Sequence, residues 1–77
     1  MLNYLIVEDF AGEPVPIIFP LRVAHADMRD QLPYGRVISA GTLHLGPNGF
    51  VCGGGCAELG INSRPVEDSA LMGEHFA

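Results

Sequence analysis

The sequence predicts an α+β domain: an antiparallel sheet of about four strands in the order ββα-ββ-α, with two short helices on one face. Three observations carry that prediction. Short apolar, β-branched runs are bounded by glycine and proline, as strands are. One segment switches to apolar positions spaced three and four apart, as an amphipathic helix requires. A long glycine-interrupted stretch, Arg36 to Leu59, reads as one hairpin about Gly46-Pro47-Asn48-Gly49.

The first strand is Leu2 to Val7, LNYLIV, too short and too β-branched toward its end for a helix. Leu2, Tyr4 and Ile6 share one face and Leu5 and Val7 the other, so the strand is expected to be buried on both. Gly12 and Pro14 break the chain after it. Val15 to Phe19 is the second strand, bracketed by Pro14, Pro16 and Pro20. Proline has no N–H for a ladder, which places this strand at a sheet edge, hairpinned with the first.

From Leu21 to Leu32 the period changes. Leu21, Ala24, Met28 and Leu32 fall on one helical face, Arg22, His25, Arg29 and Asp30 elsewhere. A helix of about two turns is expected, with Asp27 near its N-terminus, where a negative charge suits the helix dipole, and Pro33 ending it.

The hairpin is expected to turn through a three-residue loop, Pro47 to Gly49, with Gly46 opposite Phe50. Leu45 then faces Val51, Leu43 faces Gly53, His44 faces Cys52, and Gly41 lies against Gly55. This register gathers Val37, Ser39, Gly41, Leu43, Leu45, Val51, Gly53, Gly55, Ala57 and Leu59 on one almost wholly apolar face. A register with Gly46 opposite Gly49 sets Val51 beside His44 and mixes the faces, and a one-residue slip flips every side chain of a strand. A bulge near Gly41 or Gly53–Gly55 would invert the assignment beyond it. After a connector, Pro65 suits the first turn of a second helix running to about Met72. Glu67 and Asp68 follow at its positive end, Val66, Ala70 and Ser69 are expected to point inward, Gly73 weakens or ends it, and Glu74 to Ala77 is expected to fray.

Seventy-seven residues make one domain, residues 1–77. A domain this small buries only about 60% of its unfolded surface and commonly needs outside help. Its hydrophobic fraction is 48% and its mean hydropathy is +0.26, so part of the apolar surface is expected to face another chain. A net charge of −5, with four arginines and no lysine, argues against binding a phosphate backbone and leaves open mimicry of nucleic acid or docking on a basic protein surface. Without a run of about 18 apolar residues no membrane span is expected. The N-terminus lacks the positive region of a signal peptide. The reading is therefore a complete small gene product in a reducing compartment, its two cysteines free thiols.

Each chemistry-bearing group has a structural alternative. Cys52 and Cys56 on one regular strand would stand about 13 Å apart at roughly 3.3 Å per residue, beyond the reach of a disulfide. His44 across from Cys52 admits a thiol- or metal-dependent site, but structural zinc needs four ligands, which would require Cys56 with His25 or His75. Glu58 lies too far along the strand to orient His44 as a thiol nucleophile's base. Gly53-Gly54-Gly55 lacks the Lys and Ser/Thr of a phosphate loop and suits a bend or close packing. His25-Ala26-Asp27 reads as helix capping. Arg22, Arg29, Arg36 and Arg64 are expected to pair with surface acids. No catalytic, cofactor-binding or metal-binding residue is assigned.

Several pieces resemble small uncharacterised proteins of tailed phages and prophages. They are Phe19-Pro20 leading to His25-Ala26-Asp27-Met28, Val37-Ile38-Ser39-Ala40-Gly41, Leu59-Gly60-Ile61, and Ser63-Arg64-Pro65-Val66-Glu67-Asp68. The likeness spans about Phe19 to Leu71, while Cys56 and the triple glycine depart from it. That family has no assigned activity, so the resemblance implies only a context: a phage or prophage product in the bacterial cytoplasm or associated with the virion. Together with the acidic charge and the apolar content, it points to a non-enzymatic accessory protein that binds another protein, host or phage. The alternative is a minor structural or assembly protein. In either case a homo-oligomer is expected, with no cofactor, nucleic acid or membrane partner.

Overall fold

The computed structural model describes residues 1–76. Its elements are β1 (Leu2–Glu8), β2 (Pro14–Phe19), α1 (His25–Asp30), β3 (Arg36–Gly46), β4 (Gly49–Gly53) and α2 (Pro65–Phe76). The four strands form one antiparallel sheet in the order β2-β1-β3-β4, which is the α+β class the sequence predicts.

β1 is central, flanked by β2 and β3, and Asn3 to Val7 are buried without interruption. Its two faces nucleate two cores. Tyr4 and Ile6 pack with Leu43, Cys52 and Met72 of α2. Leu5 and Val7 pack with Phe19, Ala40 and Cys56, against Met28 of α1 and Leu32 beyond it. The helices therefore lie on opposite faces of the sheet, not on one. The reason is β1 itself: a strand apolar on both sides leaves an uncovered face wherever a helix is missing.

β2 is an edge strand, as its prolines require. Pro14 pairs with Glu8 and Pro16 with Ile6, and neither can offer an N–H to a further strand. α1 carries the chain from β2 across β1 to β3. It is shorter than the expected Leu21–Leu32 segment, because Pro20 accepts from the Val23 N–H and closes a turn first. Leu21 is left outside the helix and exposed. Buried Asn3 fixes this turn, its Nδ2 donating to the carbonyls of Leu21 and Val23 at 3.4 and 3.0 Å.

The hairpin adopts the register that the apolar pattern disfavours. Gly46 pairs with Gly49, Leu45 with Phe50, His44 with Val51 and Leu43 with Cys52. Pro47-Asn48 is a two-residue loop, and Gly49 takes φ +117°, open to glycine but not to a residue with Cβ. The expected pattern counted Gly55, Ala57 and Leu59 as strand, yet β4 ends at Gly53. Gly54 and Gly55 turn the chain with φ +89° and +63°, and only an isolated bridge, Cys56 with Ile61, follows. The real strand buries Cys52 and packs half-buried Phe50 beside Leu43.

A bulge is present, but at Ile38: Ile6 pairs with Ser39 while Val7 pairs with Val37. It puts Val37 on the α1 side and Ile38 on the α2 side, splitting the continuous face expected for β3. The expected close approach at Gly41 is present in a different form. A Cβ built there would lie 2.2 Å from the Gly53 carbonyl oxygen and 3.0 Å from the Gly55 nitrogen. α2 runs past Gly73 to Phe76 and is rotated from the expected orientation: Asp68 and Met72 are buried, while Val66 is 79% exposed and Ala70 is also exposed. The frayed tail expected from Glu74 is helical to Phe76, and Ala77 lies outside the described residues. Among the described residues no helix is long and apolar enough to cross a membrane.

Candidate functional site

The constellation expected from the hairpin is dispersed. Cys52 is buried under α2 and Cys56 is buried in the opposite core, both as free thiols. His44 pairs with Val51 rather than Cys52 and is exposed. Burial raises the Cys52 thiol above its ordinary value, the nearby Asp68 charge adding to the rise and Ser69 opposing it, so the thiol form dominates at neutral pH. His25 is taken up structurally. Its Nε2 lies 2.9 Å from the Gly41 carbonyl oxygen, which can only accept, so Nε2 carries the proton. The ring stands edge-on to Phe19 at 5.2 Å. His25 does not cap α1. Ala24 occupies the cap position without a side-chain bond, and the Ala26 N–H donates to Glu58 Oε1 at 3.3 Å. Among the described residues no group of three or more His, Cys, Asp or Glu side chains could hold a metal.

Three of the four arginines sit beside acids: Arg29 at Asp30, Arg36 at Glu8 and Arg64 at Asp68. The first two are solvent-facing pairs and contribute little. The third belongs to an arrangement that the linear sequence did not suggest. Asp68 is fully buried and gathers donors from three segments. Tyr4 Oη of β1 donates to Oδ2 at 2.5 Å and Ser39 Oγ of β3 to Oδ1 at 2.8 Å. The Arg64 backbone N–H donates to Oδ2 at 2.9 Å and its Nε to Oδ1 at 3.2 Å, with Nη2 at 3.1 Å. The carboxylate also sits in the first turn of α2, where the helix dipole favours it. Among the described residues no buried side-chain polar atom lacks a partner. This cluster is closed and satisfied, with the properties of a structural fastening. The sequence signal for it was the Arg64-Pro65-Val66-Glu67-Asp68 start of α2, where an acid four residues after the cap can reach back to the cap N–H.

The surface feature with room for a ligand lies past the end of α2. Met1, Leu2, Leu43, His44, Leu45 and Phe50 line a hollow of about 350 Å³. It continues the Tyr4–Leu43 face beyond the reach of the helix. Met1 is 70% and Leu45 73% exposed, and Phe76 extends the rim, its ring 6.4 Å from that of Phe50. A second depression, lined by Arg29, Asp30, Leu32, Pro33, Tyr34 and Gly35, is more polar in composition. Comparison of the chain with family models, curated proteins and solved structures found no match.

Proposed function

We propose that the chain is a non-enzymatic protein-binding module that docks through the apolar hollow at the hairpin tip. The observation that carries this reading is the exposed cluster of Met1, Leu2 and Leu45, with half-buried Phe50, around that hollow. Contiguous exposed apolar surface of this kind on a small domain marks interaction sites. The net charge of −5 favours a partner whose docking surface is apolar with a basic surround. The phage or prophage accessory role belongs to the same proposal and rests on the resemblance described above.

Self-assembly is the second reading. Proline blunts the β2 edge, and on the β4 edge the Cys52 N–H is taken by Ser69 Oγ at 3.1 Å. These features favour pairing of faces over strand addition. The discriminating experiment is affinity capture and sedimentation with wild type, Leu45→Glu and, as a control on the far side of α2, Val66→Glu. Partner capture or self-association lost in Leu45→Glu and kept in Val66→Glu supports the hollow as the docking surface. The reverse result, or a strict monomer with no captured protein, overturns it.

A further inference from the structure

We infer that α2 is a detachable cover, latched by Asp68, which opens as a unit while the sheet and α1 stay folded. α2 is fastened by a narrow packing contact, buried Met72 with half-buried Leu71 and Phe76 beside Phe50, by Ser69 Oγ, which accepts from the Cys52 N–H, and by one buried polar cluster. Of its residues only Asp68 and Met72 are buried. The connector behind it carries Gly54, Gly55 and Gly60 at positive φ and reaches the sheet through few bonds, among them Ala40 N–H to the Asn62 carbonyl at 3.4 Å. The latch works in an all-or-none way. A small displacement of α2 would strip donors from a carboxylate that water does not reach, an arrangement costlier than either the docked or the fully hydrated state. Such an element has two discrete positions and forms a cooperative unit below the stability of the whole fold. Opening uncovers Tyr4, Ile6, Leu43 and Cys52, a face continuous with the hollow at the hairpin tip. The opposite core, holding Phe19, Ala40 and Cys56, contains no α2 residue.

The two cysteines are built-in reporters, one under each cover. Wild-type protein is pulsed with a maleimide at several urea concentrations and each site is quantified by peptide mass spectrometry, relative to its rate in the unfolded chain. Cys52 is expected to label at least about tenfold faster than Cys56 and with a shallower urea dependence, since opening α2 exposes less surface than unfolding does. Phe19→Leu, in the opposite core, should accelerate Cys56 and leave Cys52 unchanged. Ser39→Ala, which removes one latch donor, should speed Cys52 about tenfold or more. Equal relative rates with a shared urea dependence in the wild type would overturn the inference, because α2 would then be released only with the whole fold. Acceleration of both sites alike by Phe19→Leu would overturn it as well.

Discussion

Tyr4 Oη and the Asp68 carboxylate meet at 2.5 Å inside the fold, although 64 positions separate them in the chain. The contact joins the central strand to the last helix. It is one of several donors on a single buried acid, so removal of either partner has unequal consequences. Tyr4→Phe keeps the ring in its core and deletes one bond to a charged acceptor, which should cost about 1.5–3 kcal/mol. Asp68→Ala removes the shared acceptor and leaves Tyr4, Ser39 and Arg64 without it. By analogy with broken buried ion pairs it should cost about 3–5 kcal/mol. A domain of this length holds roughly 4–12 kcal/mol in total at about 0.05–0.15 kcal/mol per residue, so the loss in Asp68→Ala is a large fraction of the whole, and it falls on the docking of α2. Urea titration followed by circular dichroism measures both, and a smaller loss for Asp68→Ala than for Tyr4→Phe would contradict this ordering.

The same pair makes stability depend on alkali. Burial first, then the hydrogen bond to Asp68 and its charge, raise the Tyr4 phenol above its ordinary value of 10.0. A raised folded pKa means that the contribution is complete below pH 10 and is lost as the pH climbs above it, because the unfolded chain releases a proton that the folded chain retains. Unfolding free energy should fall by up to about 1.4 kcal/mol per pH unit between about pH 10 and 12 from this group alone. In Tyr4→Phe that component of the slope should vanish. Equal alkaline slopes for wild type and variant would remove Tyr4 as the cause.

What was legible in the sequence was what local chemistry decides. The prolines of β2 announced an edge, the near-continuous apolar run of Leu2 to Val7 announced a strand buried on both sides, and Pro65 with Glu67 and Asp68 announced the start of a helix. What was not legible came from tertiary relationships. The hairpin register was inferred from an apolar pattern that included Gly55, Ala57 and Leu59, whereas the left-handed pair Gly54-Gly55 ends the strand before them. The sequence does not show whether three glycines will extend or turn. The helices were assigned to one face although β1, apolar on both, needs one on each. Asp68 looked like a dipole residue and proved to be the buried acceptor that fixes α2's rotation. The candidate chemistry of Cys52, His44 and Cys56 dissolved for the same reason: the register moved His44 off Cys52, and the turn moved Cys56 to the other core.

That dispersal predicts indifference to metal. Cys52 and Cys56 are separated by the sheet, His44 is at the exposed hairpin tip, and His25 is held by the Gly41 carbonyl. A structural zinc site would need four convergent ligands, and binding to the folded state would raise the melting temperature in proportion to the logarithm of the metal concentration. Melting curves with excess zinc and with a chelator should coincide. A rise with zinc that is abolished in Cys52→Ala or Cys56→Ala would show a site that forms only on rearrangement.

Gly41 has ordinary strand geometry, with φ outside the left-handed region, so conformational freedom does not explain its place. Space does: a methyl group there would stand 2.2 Å from the backbone oxygen of Gly53, and backbone cannot rotate aside as a long side chain can. Gly53, by contrast, has nothing within 4 Å of an added Cβ. Gly41→Ala must therefore push β4 or the Gly54-Gly55 turn away from β3, disturbing the His25 bond to the Gly41 carbonyl as it does so. Overpacking of this kind costs about 1–3 kcal/mol and sometimes more, and the contact with fixed backbone puts Gly41→Ala at the upper end. Gly53→Ala, in the same strand pair, should change stability by only about 0.5 kcal/mol. Thermal melts of the two variants side by side test the contrast, and comparable losses would show that glycine is needed here for chain flexibility rather than for close approach.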